Sequence, residues 1–345
     1  MTRALVLAGP EGPEAGRRVP PETPLLGLPL IRRTVLAARR AGFSQVTVVG
    51  ATPGVRAALE GAPADLGPAP PRGALALPWN RVVTVQDLES LHSGAGDAGV
   101  AVDSTSDLRR AERHLLASLV KDTEGFMSRH VERKISLAVS RRLANTSVTP
   151  NAMTLVSIVI GLVGSIFFLR TTAGSETVGA LLFLLHSIID GCDGELARLR
   201  FQESRWGGLL DFWGDNLVHG AVFSAMALGW SRSIGERWPL ALGVSAVLGT
   251  FASAYFIYRR MMRPGRDDED RRPLYTSVAK HETRLSRVAD AVSRRDFIYL
   301  VLILSAFGKG HWFVMLAAVG APVFFLVIAA IALAERRGRH SRSAS

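Results

Sequence analysis

Between Asp190 and Asp215 the chain reads D-G-C-D-G-E-L-A-R-L-R-F-Q-E-S-R-W-G-G-L-L-D-F-W-G-D, set inside an otherwise apolar stretch. A charge at bilayer depth costs roughly 2.5–3.5 kcal/mol on insertion scales, so such a cluster marks a functional site. Asp190 and Asp193 stand at i, i+3 and Asp211 and Asp215 at i, i+4, so each pair shares one helix face. Two such faces turned together make a cage of hard oxygen ligands. That donor set suits Mg²⁺, Mn²⁺ or Ca²⁺ rather than Zn²⁺ or copper. Ion pairing between helices would explain the acids only if bases matched them, and few bases stand nearby.

The surrounding sequence predicts an α-helical integral membrane protein with a small N-terminal α/β domain. From Pro150 onward, six runs are long enough to cross a bilayer: 151–170, 177–198, 206–230, 238–262, 296–311 and 313–334. Gly308-Lys309-Gly310 marks the turn between the last two, and Pro322 falls within the sixth. Arginine and lysine crowd alternate connections: Arg129 to Arg142, Arg198 to Arg205, Arg259 to Arg295, and Arg336 to Arg342. The opposite loops are short and carry little charge. By the positive-inside rule both termini are cytoplasmic. Asp190 and Asp211 then lie near the cytoplasmic ends of the second and third spans. The net charge of +11 is accounted for by this bias and by attraction to anionic lipid, which leaves no call for a nucleic-acid partner.

The aspartate segment resembles the signature of the CDP-alcohol phosphotransferases, D-x2-D-G-x2-A-R-x8-G-x3-D-x3-D. Asp190, Asp193, Gly194, Ala197, Arg198, Gly207, Asp211 and Asp215 fill all eight specified positions. The resemblance implies transfer of a phosphate-linked group from a CDP-activated alcohol to an alcohol acceptor, releasing CMP. It implies two ions, Mg²⁺ or Mn²⁺, held on the donor diphosphate by Asp190, Asp193 and Asp211. Asp215 would share in metal binding and accept the hydroxyl proton. Gly194 and Ala197 would keep the helix surface low beneath the cytidine, and Gly207 completes the motif. Arg198 would pair with diphosphate oxygens, a task suited to a planar guanidinium. A homodimer is also implied.

The start of the chain reads differently. Residues 3–9 form a buried-strand pattern, Pro29 to Ala41 a helix and Gln45 to Val49 a second strand, which is a βαβ opening. It resembles the start of sugar-phosphate nucleotidyltransferases, and V-A-V-D-S-T-S-D-L-R-R-A-E near residue 100 resembles their closing segment. The stretch between is too short. The loop Gly9 to Arg18 departs from the family pattern and lacks the expected lysine. We read a truncated, inactive domain over 1–118. Residues 119–149 then form an amphipathic juxtamembrane helix, 150–335 the membrane domain and 336–345 a basic tail. This order resembles enzymes that join an inositol-phosphate cytidylyltransferase to a di-inositol-phosphate-phosphate synthase. The first residues, Met1 to Leu7, run straight into a turn and do not read as a signal peptide.

Several residues keep two readings. Asn151 opens the first span beside Pro150, either approaching the nucleotide, as the resemblance implies, or capping the helix. Arg294 and Arg295 are candidates for an acceptor phosphate, set against plain positive-inside charge. His186 and His219 fall on the acidic faces and read first as hydrogen-bonded packing residues. Cys192, the only cysteine, reads as a small packing residue. Two donors stay open, CDP-inositol, giving a soluble phosphodiester, and CDP-diacylglycerol, giving a phospholipid. A non-catalytic scaffold or transporter is the rival class, but no repeat with broken helices is visible.

Overall fold

The computed structural model describes residues 4–8, 19–67, 73–92, 99–120, 131–261 and 297–343. The chain divides into two compact units. The first comprises Met1–Asp122, Leu137–Thr149 and Gly194–Glu203; the second comprises Thr123–Ser136, Pro150–Asp193 and Ser204–Ser345.

The first unit is built on a four-stranded parallel sheet of order β5-β4-β1-β6, with β1 at Ala4–Ala8, β4 at Gln45–Val49, β5 at Asp65–Gly67 and β6 at Leu75–Pro78. Between β1 and β4 come a two-residue hairpin, β2 (Pro24–Leu25) and β3 (Leu28–Pro29), and helix α1 (Leu30–Arg40). Helix α2 (Pro53–Ala58) links β4 to β5. The pair β7 (Arg81–Val82) and β8 (Val100–Ala101) flanks α3 (Val85–His92), and α4 spans Thr105–Ala117. Strand β1 reads as a continuous apolar run because both its faces are covered, and β4 differs only in Gln45 and the buried Thr47. Leu5, Leu7, Val46 and Val48 pack there with Ile31 and Val35 of α1 into one core. Helix α5 (Arg133–Leu143) carries the juxtamembrane sequence; the rest of the expected linker, 121–130, lies outside the described residues.

The second unit is helical: α6 (Pro150–Phe167), α7 (Ala173–Arg200), α8 (Arg205–Ile234), α9 (Trp238–Met261), α10 (Phe297–Ala306) and α11 (His311–Ser343). The last two turns of α7 belong to the first unit. Among the described residues, four helices are long and apolar enough to cross a membrane: α6, α7, α9 and α11. Helix α8 has the length, at 30 residues, but carries Arg205, Asp211, Asp215 and Arg232. Helix α10 is apolar but only 10 residues long. Where the sequence reading put six spans, four helices thus meet the length and composition criteria by themselves. Two boundaries also move. Helix α7 starts at Ala173 rather than 177, and α11 runs through Pro322 and past 335 to Ser343, into the expected tail. The interior of this unit is aromatic and small-residue packing, with Phe168, Phe183, Val218, Val222, Phe223, Phe313 and Val314 in one cluster.

Candidate active site

Helices α7 and α8 bring the aspartates together. Asp190, Asp211 and Asp215 each present a carboxylate oxygen, and the three oxygens lie within 4.8 Å of one another. Asp190 is 4% exposed. Two unit charges 4.8 Å apart repel by about 3.5 kcal/mol at an effective dielectric of ~20, so the cluster calls for a cation. The Oδ1 of Asp211 is buried with no hydrogen-bond partner, an orphan acceptor pointing to the same need. An all-oxygen donor set with an unsatisfied buried lone pair fits a hard divalent ion such as Mg²⁺ or Mn²⁺.

Asp193, the fourth predicted ligand, is not among the three whose oxygens lie within 4.8 Å of one another. It is buried, and the Thr154 hydroxyl of α6 donates to its Oδ2. That bond fixes the carboxylate's rotamer from a neighbouring helix, a contact that no local spacing indicates. His186 supplies a second such contact. Its Nδ1 lies 2.9 Å from the Ser157 carbonyl oxygen and its Nε2 lies 3.4 Å from Asp215 Oδ1. It thus meets the acid of α8, whereas its sequence spacing had suggested Asp190. His219 packs among the rings of Phe183, Phe223 and Phe297. Cys192 is fully buried, its thiol 3.5 Å from the Ile188 carbonyl oxygen, in keeping with a packing residue.

The remaining motif residues sit as follows. On the last turns of α7, Arg198 folds back so that its guanidinium would lie 3.1 Å from a Cβ at Gly194. A side chain at 194 would push that guanidinium away. Ala197 is buried on the same segment. At the other helix, Ser204 caps α8 by accepting from the Gly207 N–H at 3.0 Å. A Cβ at Gly207 would meet Asn151 Oδ1 at 2.9 Å, so glycine there lets the Asn151 amide rest against the start of α8. Arg294 and Arg295 lie outside the described residues.

Comparison with known proteins bears on this arrangement. Residues 147–272 match the family model of CDP-alcohol phosphatidyltransferase, a span that encloses all four aspartates. That segment is similar to CDP-alcohol phosphatidyltransferases. The chain is similar to the bifunctional IPC transferase and DIPP synthase of Thermococcus kodakarensis, 37% identical over 155 residues, covering 45% of this chain and 34% of that protein. It is also similar to the protein of the same name from Archaeoglobus fulgidus, 39% identical over 136 residues, covering 39% and 26%. The chain therefore spans about a third or less of these relatives' own length. Among solved structures, phosphatidylinositol phosphate synthase of Mycobacterium tuberculosis with CDP-DAG bound aligns at a TM-score of 0.38 and 19% identity, covering 56% of this chain and 92% of that one.

Proposed function

We propose that the protein is a membrane-embedded, metal-dependent phosphotransferase that moves a phosphate-linked group from a CDP-activated alcohol to an alcohol acceptor, releasing CMP. The observation that carries the reading is the convergence of the Asp190, Asp211 and Asp215 carboxylates from two helices, with Oδ1 of Asp211 buried and without a hydrogen-bond partner. The domain match over 147–272 supports it.

The residue roles follow from the chemistry. Asp190 and Asp211 hold divalent metal, and Asp193, oriented by Thr154, completes a donor set sufficient for two ions. Bound metal neutralises the donor diphosphate and the developing charge on the leaving CMP. Arg198 pairs with diphosphate oxygens while Gly194 and Ala197 keep α7 low beneath the cytidine. Asn151 approaches the nucleotide, and Gly207 leaves room for the Asn151 amide. The acceptor hydroxyl oxygen attacks the phosphorus that bears the donor alcohol. A new O–P bond forms, the bond from that phosphorus to the CMP oxygen breaks, and the hydroxyl proton passes to Asp215. Arg294 and Arg295 take the acceptor's phosphate. The acceptor is a polyol phosphate of the inositol phosphate class, and the donor is CDP-inositol or CDP-diacylglycerol.

The flanking arginines orient both termini and the site toward the cytoplasm, and the protein works as a homodimer. The N-terminal α/β unit is a shrunken nucleotidyltransferase-like domain without its own reaction. The test is purified protein with Mg²⁺ or Mn²⁺ and inositol phosphate, offered CDP-inositol or CDP-diacylglycerol in separate arms. Metal-dependent CMP release in one arm supports the reading and selects the donor. No CMP release in either arm, from folded protein that binds Mn²⁺, would favour a scaffold that keeps the motif without turnover.

A further inference from the structure

The end of α7 is held by an unusual set of contacts, all within the first compact unit. Arg33 of α1 is 2% exposed. Its Nη1 donates to the Leu199 carbonyl oxygen at 2.8 Å, and its Nη2 donates to the Leu25 and Leu26 carbonyl oxygens at 2.8 and 3.0 Å. Leu199 lies in the last turn of α7, where carbonyl oxygens lack partners within the helix. Leu25 and Leu26 belong to the β2–β3 hairpin. One guanidinium therefore ties that hairpin to the helix that carries Asp190 and Asp193. Burial pulls Arg33 down to about 10, which leaves it charged at neutral pH.

The hairpin tip is shaped for the approach. Leu26 and Gly27 both take positive φ, 50° and 83°, as a two-residue turn of the primed type requires. The Gly27 N–H donates to Asn145 Oδ1 at 2.9 Å, and a Cβ there would lie 2.1 Å from the Ala144 carbonyl oxygen. Arg200, beside Leu199, donates to the carbonyl oxygens of Leu143, Ala144, Thr146 and Val148, which close the end of α5.

The elbow after α7 carries strain. Gln202 N–H donates to the Ala197 carbonyl oxygen at 2.8 Å and Phe201 N–H to that of Arg198 at 3.4 Å, the paired bonds of a Schellman ending. The left-handed residue in that motif is usually glycine. Here it is Phe201, at φ 54°, a conformation that costs roughly 1–2 kcal/mol for a residue with a Cβ. Its ring packs against the core formed by Leu5, Leu7, Ile31 and Val35. Glu203 pairs with Arg40 of α1. A strained residue persists where its surroundings over-determine it, often at functional positions.

We propose that Arg33 and Phe201 are positioning residues, and that through them the N-terminal α/β unit braces the elbow joining α7 to α8. The elbow decides where α7 ends and α8 begins. Asp190 lies about 13 Å back along α7 from Leu199, and Asp211 about 9 Å along α8 from Arg205, at 1.5 Å per residue. Helices transmit a shift at their ends with little loss, so a loosened elbow changes the separation of the two aspartate faces. This inference rests on the reading of Asp190, Asp211 and Asp215 as a metal site, and it gives the N-terminal unit a mechanical role in place of a second reaction.

The test compares wild type with R33M, which removes three bonds but keeps the apolar stem, and with F201G, which relieves the backbone but removes the ring. Three readouts are taken on full-length protein in nanodiscs: hydrogen exchange of amides 199–206, Mn²⁺ affinity by electron paramagnetic resonance, and kcat and KM for CMP release. Both variants should exchange faster at the elbow and bind Mn²⁺ several-fold more weakly. Their kcat should fall about tenfold or more, since a misplacement of ~1 Å far from the chemistry can cost 10²-fold. Donor KM should change less than kcat.

A purely structural role for Arg33 would lower the unfolding temperature and leave Mn²⁺ affinity and kcat of the folded protein at wild-type values. That outcome overturns the proposal. So does an F201G protein more active than wild type, because the ring would then be dispensable. If R33M does not fold, R33K and F201G decide the matter by the same criteria. If wild type binds Mn²⁺ but releases no CMP, the phosphotransferase reading fails while elbow exchange and Mn²⁺ affinity still judge the brace.

Discussion

His186 Nε2 stands 3.4 Å from Asp215 Oδ1, while its Nδ1 faces the Ser157 carbonyl oxygen at 2.9 Å. A carbonyl oxygen only accepts, so Nδ1 carries a proton and the ring is pinned between α6 and α8. His186 is 2% exposed, so water does not compete for these contacts. Groups that orient a ligating or reacting carboxylate typically matter about 10–100-fold in activity or metal affinity. His186→Ala should reduce CMP release by that order while leaving the fold intact. Equal activity in the variant and wild type would remove His186 from the site.

Asp215→Asn separates base from ligand. Loss of a general base costs roughly 10²–10⁴ in rate. Loss of a principal metal ligand would also weaken donor binding. We expect turnover to fall by the first amount while affinity for the CDP-linked donor, measured by calorimetry, is largely kept. If binding collapses together with turnover, Asp215 is chiefly a ligand.

Metal dependence rests on Asp190 and Asp211. Excess chelator should abolish CMP release by the wild type, and added Mn²⁺ should restore it. Asp190→Asn and Asp211→Asn should abolish CMP release, with no rescue by added Mn²⁺. For Asp211→Asn, the orphaned Oδ1 also predicts that the free protein gains thermal stability, since the three-carboxylate repulsion is relieved. A thermal unfolding series without metal checks this sign.

Helix α4 should respond to acid. The Ser104 hydroxyl donates to Asp107 Oδ2 at 2.8 Å and the Ser104 N–H at 3.0 Å, and these bonds hold the Asp107 carboxyl below its usual value. A depressed folded value means stabilisation that is present above the ordinary aspartate pKa and lost as pH falls through the lowered one. Protection factors of amides in the first turn of α4, corrected for intrinsic exchange rates, should therefore be lower below the ordinary aspartate range than at pH ~5, and Ser104→Ala should narrow that difference.

The N-terminal unit should be silent as an enzyme. Full-length protein given CTP, inositol phosphate and Mg²⁺ should release no pyrophosphate. Sustained release would show that the short segment between β4 and β8 still completes a nucleotide site.

The sequence determined the membrane helices and the aspartate faces. Both depend on local periodicity: apolar runs of span length, and acids three and four residues apart on one helix. The same locality made the β1, α1 and β4 ranges legible. It could not reveal that Thr154 holds Asp193 or that His186 faces Asp215, because those pairs lie 39 and 29 positions apart and meet only when α6, α7 and α8 pack. It also could not show that Arg33 closes on Leu199, 166 residues away. In the sequence Arg33 is one arginine among many in an amphipathic helix, and Phe201 one aromatic after a helix end. Only the tertiary structure buries the first among carbonyl oxygens and turns the second left-handed. Hydrogen-bond geometry and backbone φ at a helix end are fixed by the partners that packing brings near, and no residue's identity specifies its distant partner.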